Sequence, residues 1–201
     1  YHFFIGEKSA GLESLRRVYD YALTQEIIPV YTSEYVAVAE GFLESVTEAR
    51  RDGGWEFSNY GDCRTVRMDN TPLLPDLKRS EGVLGFRVWE GSLYIHLADT
   101  NHAVLYLTKE PPARPFLKEA STLIFNWKIA EENLSFEARG FDEGVYRFGG
   151  MSPGMPFDVR TTVLKGEAPE IVRKSFRSDR EGNLEIRIPA KGWIQVDVVK
   201  I

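Results

Sequence analysis

Side chains suited to ligand binding recur at alternate positions of one stretch, residues 82–107. If Glu90 and Gly91 form a two-residue turn, the strands on either side pair as a hairpin, with polar and aromatic side chains on its outward face. These side chains, with one from the following strand, are Arg87, Trp89, Tyr94, His96 and Tyr106. Aromatic rings offer apolar faces to the C–H groups of sugars, and Arg and His can donate hydrogen bonds to hydroxyl groups. The pattern predicts a carbohydrate-binding surface.

A structural role is the competing interpretation of the same residues. Large aromatic side chains in proteins are more often buried than functional, so a second layer or a loop could cover this face. An exposed row of rings would favour glycan binding, whereas a compact apolar patch would favour docking of another protein.

Other catalytic and metal-binding patterns are weak in this sequence. The three histidines, His2, His96 and His102, form no zinc-binding spacing, and a single cysteine, Cys63, excludes an internal disulfide. Asp99 and Asn101 could offer two oxygen ligands to calcium, which needs about six to eight, so an ordinary Asx turn is the better interpretation. The sequence contains no glycine-rich phosphate loop and no Gly-x-Ser-x-Gly motif.

The hairpin register follows from the alternation of apolar residues. Pairing Trp89 with Ser92 across the turn also places Arg87 opposite Tyr94 and brings the apolar residues onto one face, where a one-residue slip would mix the two sets. This core face is predicted to contain Leu84, Phe86, Val88, Leu93, Ile95 and Leu97. A third strand after residues 99–101 is expected to continue the pattern, with Ala103, Leu105 and Leu107 inward and His102, Val104 and Tyr106 outward.

Two amphipathic helices are predicted before the strands. Ser9 is placed to cap the first helix, which should end near Gln25, and Thr32 or Ser33 is placed to cap the second. Each helix should bury one stripe: Leu12, Leu15, Val18, Tyr19, Ala22 and Leu23 in the first, and Tyr35, Val38, Ala39, Phe42, Leu43 and Val46 in the second. The second helix should continue to Arg50 and Arg51, before Gly53 and Gly54 stop it. Both helices are expected to pack on the strand region.

Beyond residue 54 the pattern changes to short strands separated by turns. This predicts a mainly β fold, an antiparallel β-sandwich of jelly-roll type preceded by a short α/β segment. We place the domain boundary so that residues 1–53 form the α/β segment and residues 54–201 form the sandwich.

Length and charge narrow the possible partners. The chain has 201 residues and a net charge of -5, and its Lys and Arg residues are scattered, which argues against nucleic acid as a partner. No apolar run approaches the about 20 residues of a membrane-spanning helix. Because the chain opens without Met in the middle of an apolar run, we expect it to be part of a longer protein.

The first 35 residues resemble a known family. The matching segments are His2-Phe3-Phe4, Gly6-Glu7-Lys8, Ala10 to Tyr21, and Pro29-Val30-Tyr31-Thr32-Ser33-Glu34-Tyr35. They resemble the end of the deacetylase barrel in PelA-like polysaccharide deacetylases of bacterial exopolysaccharide systems. The resemblance implies that a β-sandwich similar to carbohydrate-binding modules follows the barrel.

The resemblance also implies an activity and a location. Members of the family are extracytoplasmic hydrolases that remove acetyl groups from amino sugars, so the parent protein is expected to be periplasmic or extracellular. They use a divalent metal such as zinc, whose Asp and His ligands have no counterpart here and would lie before Tyr1. His2 is the one position that could match the family's general acid, and a structural His2 is an equal alternative. This chain alone is therefore expected to hold no metal and to be inactive.

These inferences combine into one hypothesis and one main alternative; a complete small enzyme is a further alternative, for which the sequence offers no site. In the hypothesis, the chain is the C-terminal region of a polysaccharide deacetylase, and its sandwich binds polysaccharide or oligosaccharide or supports the upstream catalytic domain. In the alternative, the sandwich is a scaffold that docks another protein and binds no glycan.

Overall fold

The protein is described by a computed structural model that covers residues 6–25, 30–164 and 171–201. The described residues form helices α1 (Ser9–Leu23) and α2 (Thr32–Glu44). The strands are β1 (Val46–Ala49), β2 (Trp55–Ser58), β3 (Thr65–Asp69), β4 (Leu74–Pro75), β5 (Val83–Trp89), β6 (Ser92–Leu97), β7 (His102–Leu105), β8 (Leu107–Thr108), β9 (Phe116–Ala120), β10 (Leu123–Ala130), β11 (Asn133–Gly140), β12 (Glu143–Gly149), β13 (Pro156–Val163), β14 (Ile171–Arg177), β15 (Leu184–Pro189) and β16 (Gly192–Lys200). The predicted mainly β fold with two N-terminal helices is confirmed.

The chain divides into two compact units, residues 1–30 and residues 31–201. The first unit contains α1, whose N-cap is Lys8 rather than the predicted Ser9. None of the residues Ser9–Leu23 is buried, so the predicted apolar stripe of α1 is not part of a core. Neither described helix has the length and apolar character that crossing a membrane would require. The second unit contains α2 and all the strands.

The second helix is shorter than predicted. It begins after Tyr31, whose backbone N–H donates to the Glu34 carboxylate at 3.0 Å, and it ends at Glu44 instead of Arg51. The residues from Val46 form β1, which pairs antiparallel with β2 through a turn at Arg50 to Gly53. The β-branched pair Val46 and Thr47 favours a strand, and hydrogen bonding to β2 outweighs the helical spacing that the sequence also contains.

The contacts of α2 also differ from the prediction. The helix approaches the strand region through Gly41, its one buried residue, where any side chain would overlap the backbone carbonyl of Tyr60. Arg139 of β11 donates to Glu34 at 2.9 Å, which holds the start of the helix. The large apolar residues of the predicted stripe are exposed: Tyr35, Val38, Phe42 and Leu43. Small residues therefore make the close contact, and the apolar stripe faces solvent in the described structure.

The largest core lies between two sheets of the second unit. A five-stranded sheet has the order β10-β11-β16-β13-β14, and a six-stranded sheet has the order β15-β12-β9-β5-β6-β3. Side chains from both sheets join one buried cluster, in which Phe136, Phe148 and Phe157 are fully enclosed. The alternation of apolar and polar residues along these strands produces this arrangement, as the sandwich prediction requires.

A second buried cluster contains most of the predicted hairpin core. Strands β5 and β6 pair in the predicted register, with Trp89 opposite Ser92 and Arg87 opposite Tyr94. Four of the predicted core residues share this cluster: Phe86, Leu93, Ile95 and Leu97. The turn at Glu90 and Gly91 has positive φ at both residues, 48° and 78°, which suits a two-residue hairpin. The register prediction is therefore confirmed.

Two residues of the predicted hairpin core are placed differently. A bulge between Val83 and Gly85 puts Val83 opposite Leu97, and it moves Leu84 into the sandwich cluster beside Leu117. Val88 is 58% exposed, because it lies next to the hairpin turn and beyond the edge of the core. A bulge adds one residue to a strand, so strict alternation cannot predict which face follows it.

The third predicted strand joins a different sheet. Strand β7 pairs with β2 in a three-stranded sheet of order β1-β2-β7, and it is not hydrogen-bonded to β6. Ala103 and Leu105 are inward as predicted, but Val104 is also buried, because its backbone bridges to Glu81. The inward positions of Ala103 and Leu105 were predicted correctly, whereas the outward position of Val104 and the pairing partner of the strand were predicted wrongly.

We expect Phe86→Ala to lower the free energy of unfolding by about 3–5 kcal/mol, as loss of a buried aromatic does. Phe86 stacks on Phe116 with ring centroids 4.8 Å apart and planes inclined by 2°. The neighbouring change Arg87→Ala should cost at most about 1 kcal/mol, since its ion pair is partly exposed. Urea denaturation of both variants measures the difference, and equal losses would contradict this core assignment.

One carboxylate joins three separate parts of the sandwich. Glu132, between β10 and β11, accepts hydrogen bonds from the Ser152 backbone N–H at 2.8 Å, the Ser152 hydroxyl at 2.6 Å and Lys200 Nζ at 2.7 Å. The bonds from Lys200 and Ser152 lower the pKa of Glu132 from 4.5 to about 2. Because the pKa is depressed in the folded state, this stabilisation is present above about pH 4.5 and is lost as the pH falls toward 2.

We expect Glu132→Gln to lower the free energy of unfolding at neutral pH by about 1–3 kcal/mol, since it removes hydrogen bonds to a charged group. The difference in free energy of unfolding between wild type and variant should shrink as the pH falls below about 4.5 and disappear near pH 2. Thermal unfolding followed over this pH range provides the measurement. A difference in free energy of unfolding that stays constant with pH would show that the carboxylate charge does not stabilise the fold.

Candidate functional site

Three of the predicted site residues lie together at the hairpin of β5 and β6. The Trp89 and Tyr94 ring centroids are 6.3 Å apart with planes inclined by 55°. The Arg87 guanidinium lies 5.7 Å from the Trp89 ring centroid, and Arg67 of β3 lies at the same distance from the Tyr94 ring. Trp89 is 45% exposed. The two rings are inclined to each other and flanked by two cations. Their surroundings are therefore polar and do not form a compact apolar patch.

His96 adjoins these residues but is turned toward the backbone of β9. Its Nε2 lies 2.9 Å from the Lys118 carbonyl oxygen, which can only accept, so Nε2 carries the proton. Burial lowers the pKa of His96, although the Lys118 bond opposes the shift. The imidazole is therefore neutral at neutral pH, and its Nε2 is already used within the protein.

Tyr106 does not lie at the hairpin, because the strands on either side of it, β7 and β8, belong to other sheets. Its hydroxyl donates to Asp52 at 2.6 Å, and the Arg79 guanidinium lies 4.1 Å from its ring centroid. This bond is the main cause that lowers the pKa of Asp52 to about 2, with Arg50 contributing next. The predicted group of five residues thus becomes a group of four, with Tyr106 helping to hold the β1–β2 turn.

Further charged side chains extend the site across the sheet. Arg87 donates to Glu119 of β9 at 2.7 Å, and Arg147 of β12 donates to the same carboxylate oxygen at 2.8 Å. Arg147 also donates to Glu185 of β15 at 2.8 Å. We call this chain of contacts the cross-strand row, and its members are Arg67, Tyr94, Trp89, Arg87, Glu119, Arg147 and Glu185. It crosses all six strands in five steps, which is about 24 Å at a strand spacing of about 4.8 Å.

The row depends on a close backbone approach between β5 and β9. Gly85 pairs in parallel with Leu117, and a side chain at Gly85 would overlap the Leu117 backbone. This contact sets Arg87, two residues further along β5, beside Glu119, two residues further along β9. Sequence reasoning missed Arg67, Glu119, Arg147 and Glu185, since their strands are not neighbours along the chain. Only the alternation within each strand could have placed them on an outward face.

The remaining predicted ligand residues have other roles or are not described. Asn101 accepts from the Gly61 backbone N–H at 2.8 Å, and Asp99 accepts from the Asn126 N–H at 3.3 Å, so both serve turns rather than a calcium ion. His2 lies outside the described residues. Within residues 6–25, 30–164 and 171–201, no group of three or more His, Cys, Asp or Glu side chains is arranged to hold a metal ion. The described residues therefore do not fit the metal that the deacetylase resemblance implies.

An open depression lies beside α2. Its volume is about 650 Å³, and its lining includes Glu40, Glu44 and Asp62 with the amides of Asn59 and Asn101. Asp62 is paired with Arg64 at 2.6 Å. The depression is acidic and contains no aromatic ring among its lining residues, so it has no platform on which a sugar could stack.

We expect Gly85→Ala to destabilise the protein by at least about 3 kcal/mol, because the new methyl group meets backbone atoms that cannot move independently. A matched control is Gly154→Ala, where φ is +67° and no atom lies within 4 Å of the new methyl, so only about 1 kcal/mol of backbone strain is expected. Denaturant unfolding of both variants provides the test. Similar losses in the two would mean that β5 and β9 do not need this close approach.

Comparison with known proteins yields no match to a family model, a curated protein or a solved structure. The resemblance of the first 35 residues to polysaccharide deacetylases therefore stays a prediction.

Proposed function

We propose that the β-sandwich is a carbohydrate-binding module whose glycan site is the cross-strand row. The observation that supports this most directly is the exposed, angled pair of Trp89 and Tyr94, flanked by the guanidinium groups of Arg87 and Arg67. The ring faces can contact the C–H groups of one sugar, and the adjacent N–H groups can donate to its hydroxyls.

The shape of the row suits an oligosaccharide rather than a single sugar. The two rings are inclined by 55°, so they enclose one unit from two sides instead of forming a flat platform for several. The remaining contacts along the row are polar, with Arg87, Glu119 and Arg147 in sequence across three strands. Additional sugar units would lie over these polar groups, and the affinity should rise as they are filled.

The deacetylase hypothesis supplies a context for this module. We propose that the parent protein is an extracytoplasmic polysaccharide deacetylase acting on amino sugars, with its metal site in a catalytic domain before residue 1. In that arrangement, the module would hold the polymer while the catalytic domain acts on it. The support is the resemblance of the first 35 residues and the order of helices before sandwich.

A protein-docking role is the second candidate, and a different observation favours it. The large apolar residues of α2 are exposed, with Phe42 at 68% and Leu43 at 80%. Exposed apolar groups of this kind often mark a surface that another protein or domain covers. In this candidate, α2 docks the upstream catalytic domain and the sandwich binds no glycan.

We expect calorimetric titration with N-acetylglucosamine oligomers to give dissociation constants of about millimolar to micromolar that tighten with oligomer length. Trp89→Ala should abolish the binding heat while leaving the unfolding midpoint nearly unchanged, because the ring is half exposed. Trp55→Ala is the matched control, since Trp55 is similarly exposed but lies on β2 of the three-stranded sheet. It should bind like wild type.

Two results would contradict the proposal in different ways. A Trp89→Ala variant that unfolds far more easily would assign the ring a structural role. A folded wild type that gives no heat with any oligomer would leave docking as the function of the sandwich.

A further inference from the structure

The charges along the cross-strand row and its immediate neighbours are close to balanced, since one carboxylate, Glu90 of the hairpin turn near Arg67, adds to an otherwise equal set of ion pairs. Four arginines face four carboxylates, and each carboxylate has an arginine within 4 Å. The arginines are Arg67, Arg87, Arg147 and Arg187, and the carboxylates are Asp69, Glu119, Glu143 and Glu185. A surface with this balance offers little net attraction to a ligand of either sign.

The carboxylates are committed to these pairs. Glu119 Oε2 accepts from both Arg87 and Arg147, at 2.7 and 2.8 Å. Glu185 uses both of its oxygens, one for Arg147 and one for Arg187, each at 2.8 Å. These two arginines lower the pKa of Glu185, so it stays ionised over the range in which proteins are normally stable. A ligand ammonium group would have to displace an arginine to reach either carboxylate.

The ion pairs need not use every donor of a guanidinium group. A guanidinium group carries five N–H donors, and an ion pair of this kind uses one or two of them. Arg67, for example, donates through Nε to Asp69 at 2.8 Å, and Asp69 also accepts from Ser92 at 2.6 Å. A ligand carboxylate would compete with Asp69 for the same charge, whereas a hydroxyl or amide carbonyl needs only a remaining donor. An uncharged polar group can therefore bind Arg67 without breaking its pair with Asp69.

We infer that the cross-strand row selects uncharged oligosaccharides over both polyanionic and polycationic ones. The inference rests on the proposed glycan-binding function and specifies its ligand class. Because no ion pair forms between ligand and protein, the affinity for an uncharged oligomer should depend little on salt. Each charged oligomer should bind at least about tenfold more weakly than the uncharged oligomer of equal length.

The test is calorimetric titration of the full chain with three oligomers of equal length. These are N-acetylglucosamine as the uncharged probe, glucosamine at a pH where its amines are protonated, and galacturonate as the anionic probe. We expect heat from the uncharged oligomer, with the same dissociation constant at low and high salt. A charged oligomer that binds equally well or more tightly at low salt, and weakens at high salt, would overturn the selectivity. If no oligomer binds, the proposed function itself fails.

A change in the charge balance provides the second test. Glu185→Gln leaves Arg147 and Arg187 with less negative charge beside them, so the row becomes more positive. We expect the affinity of this variant for galacturonate at low salt, taken relative to its own affinity for the uncharged oligomer, to rise about tenfold over the wild-type ratio. Glu48→Gln on β1 makes the same charge change away from the row and should leave this ratio unchanged. An unchanged ratio in a folded Glu185→Gln variant would contradict the proposed role of the balance.

Discussion

The backbone contact between Gly85 and Leu117 joins the two parts of the six-stranded sheet. Strands β9, β12 and β15 lie over the sandwich cluster, while β5 and β6 contribute five buried residues to the second cluster, and the parallel pairing of β5 with β9 connects them. A side chain at position 85 would occupy the space that the Leu117 backbone fills. The absence of a side chain at this one position therefore permits a continuous sheet, and a continuous sheet is what allows a row of side chains to cross six strands.

The energetics of the row favour a role other than stability. Its ion pairs are partly exposed, with side-chain exposures between 26% and 41% for Glu119, Arg147 and Glu185. Pairs of this kind contribute about 0–1 kcal/mol each, because the gain in Coulomb energy is offset by side-chain ordering and weakened by solvent. By contrast, the stacked Phe86 and Phe116 rings beneath the hairpin are almost fully buried. The fold therefore depends on the buried rings rather than on the ion pairs of the row.

The sequence predicted local features well and long-range pairings poorly. The hairpin register was correct because a two-residue turn and strict alternation leave few alternatives for neighbouring strands. The partner of β7 was wrong, and Tyr106 was consequently misplaced, because alternation does not identify which strand lies alongside. The extra residue at Leu84 and the early end of α2 were missed for a related reason. In both cases a tertiary hydrogen-bonding pattern overrides the local periodicity. The same limit explains why only Arg87, Trp89 and Tyr94 of the cross-strand row were found in advance.

We propose that glycan contacts the face of the six-stranded sheet that carries the cross-strand row. Nuclear magnetic resonance is the most direct test of this contact. The chain contains four tryptophans, whose indole N–H signals report separately on β2, the β5–β6 hairpin, the sandwich core and β16. Titration with an uncharged N-acetylglucosamine oligomer should shift the Trp89 indole signal and the backbone amides of β5, β6, β9 and β12. The signals of Trp55 and Trp193 should stay in place. Shifts confined to Trp55 or Trp193, or no shift at any of the four, would contradict the account.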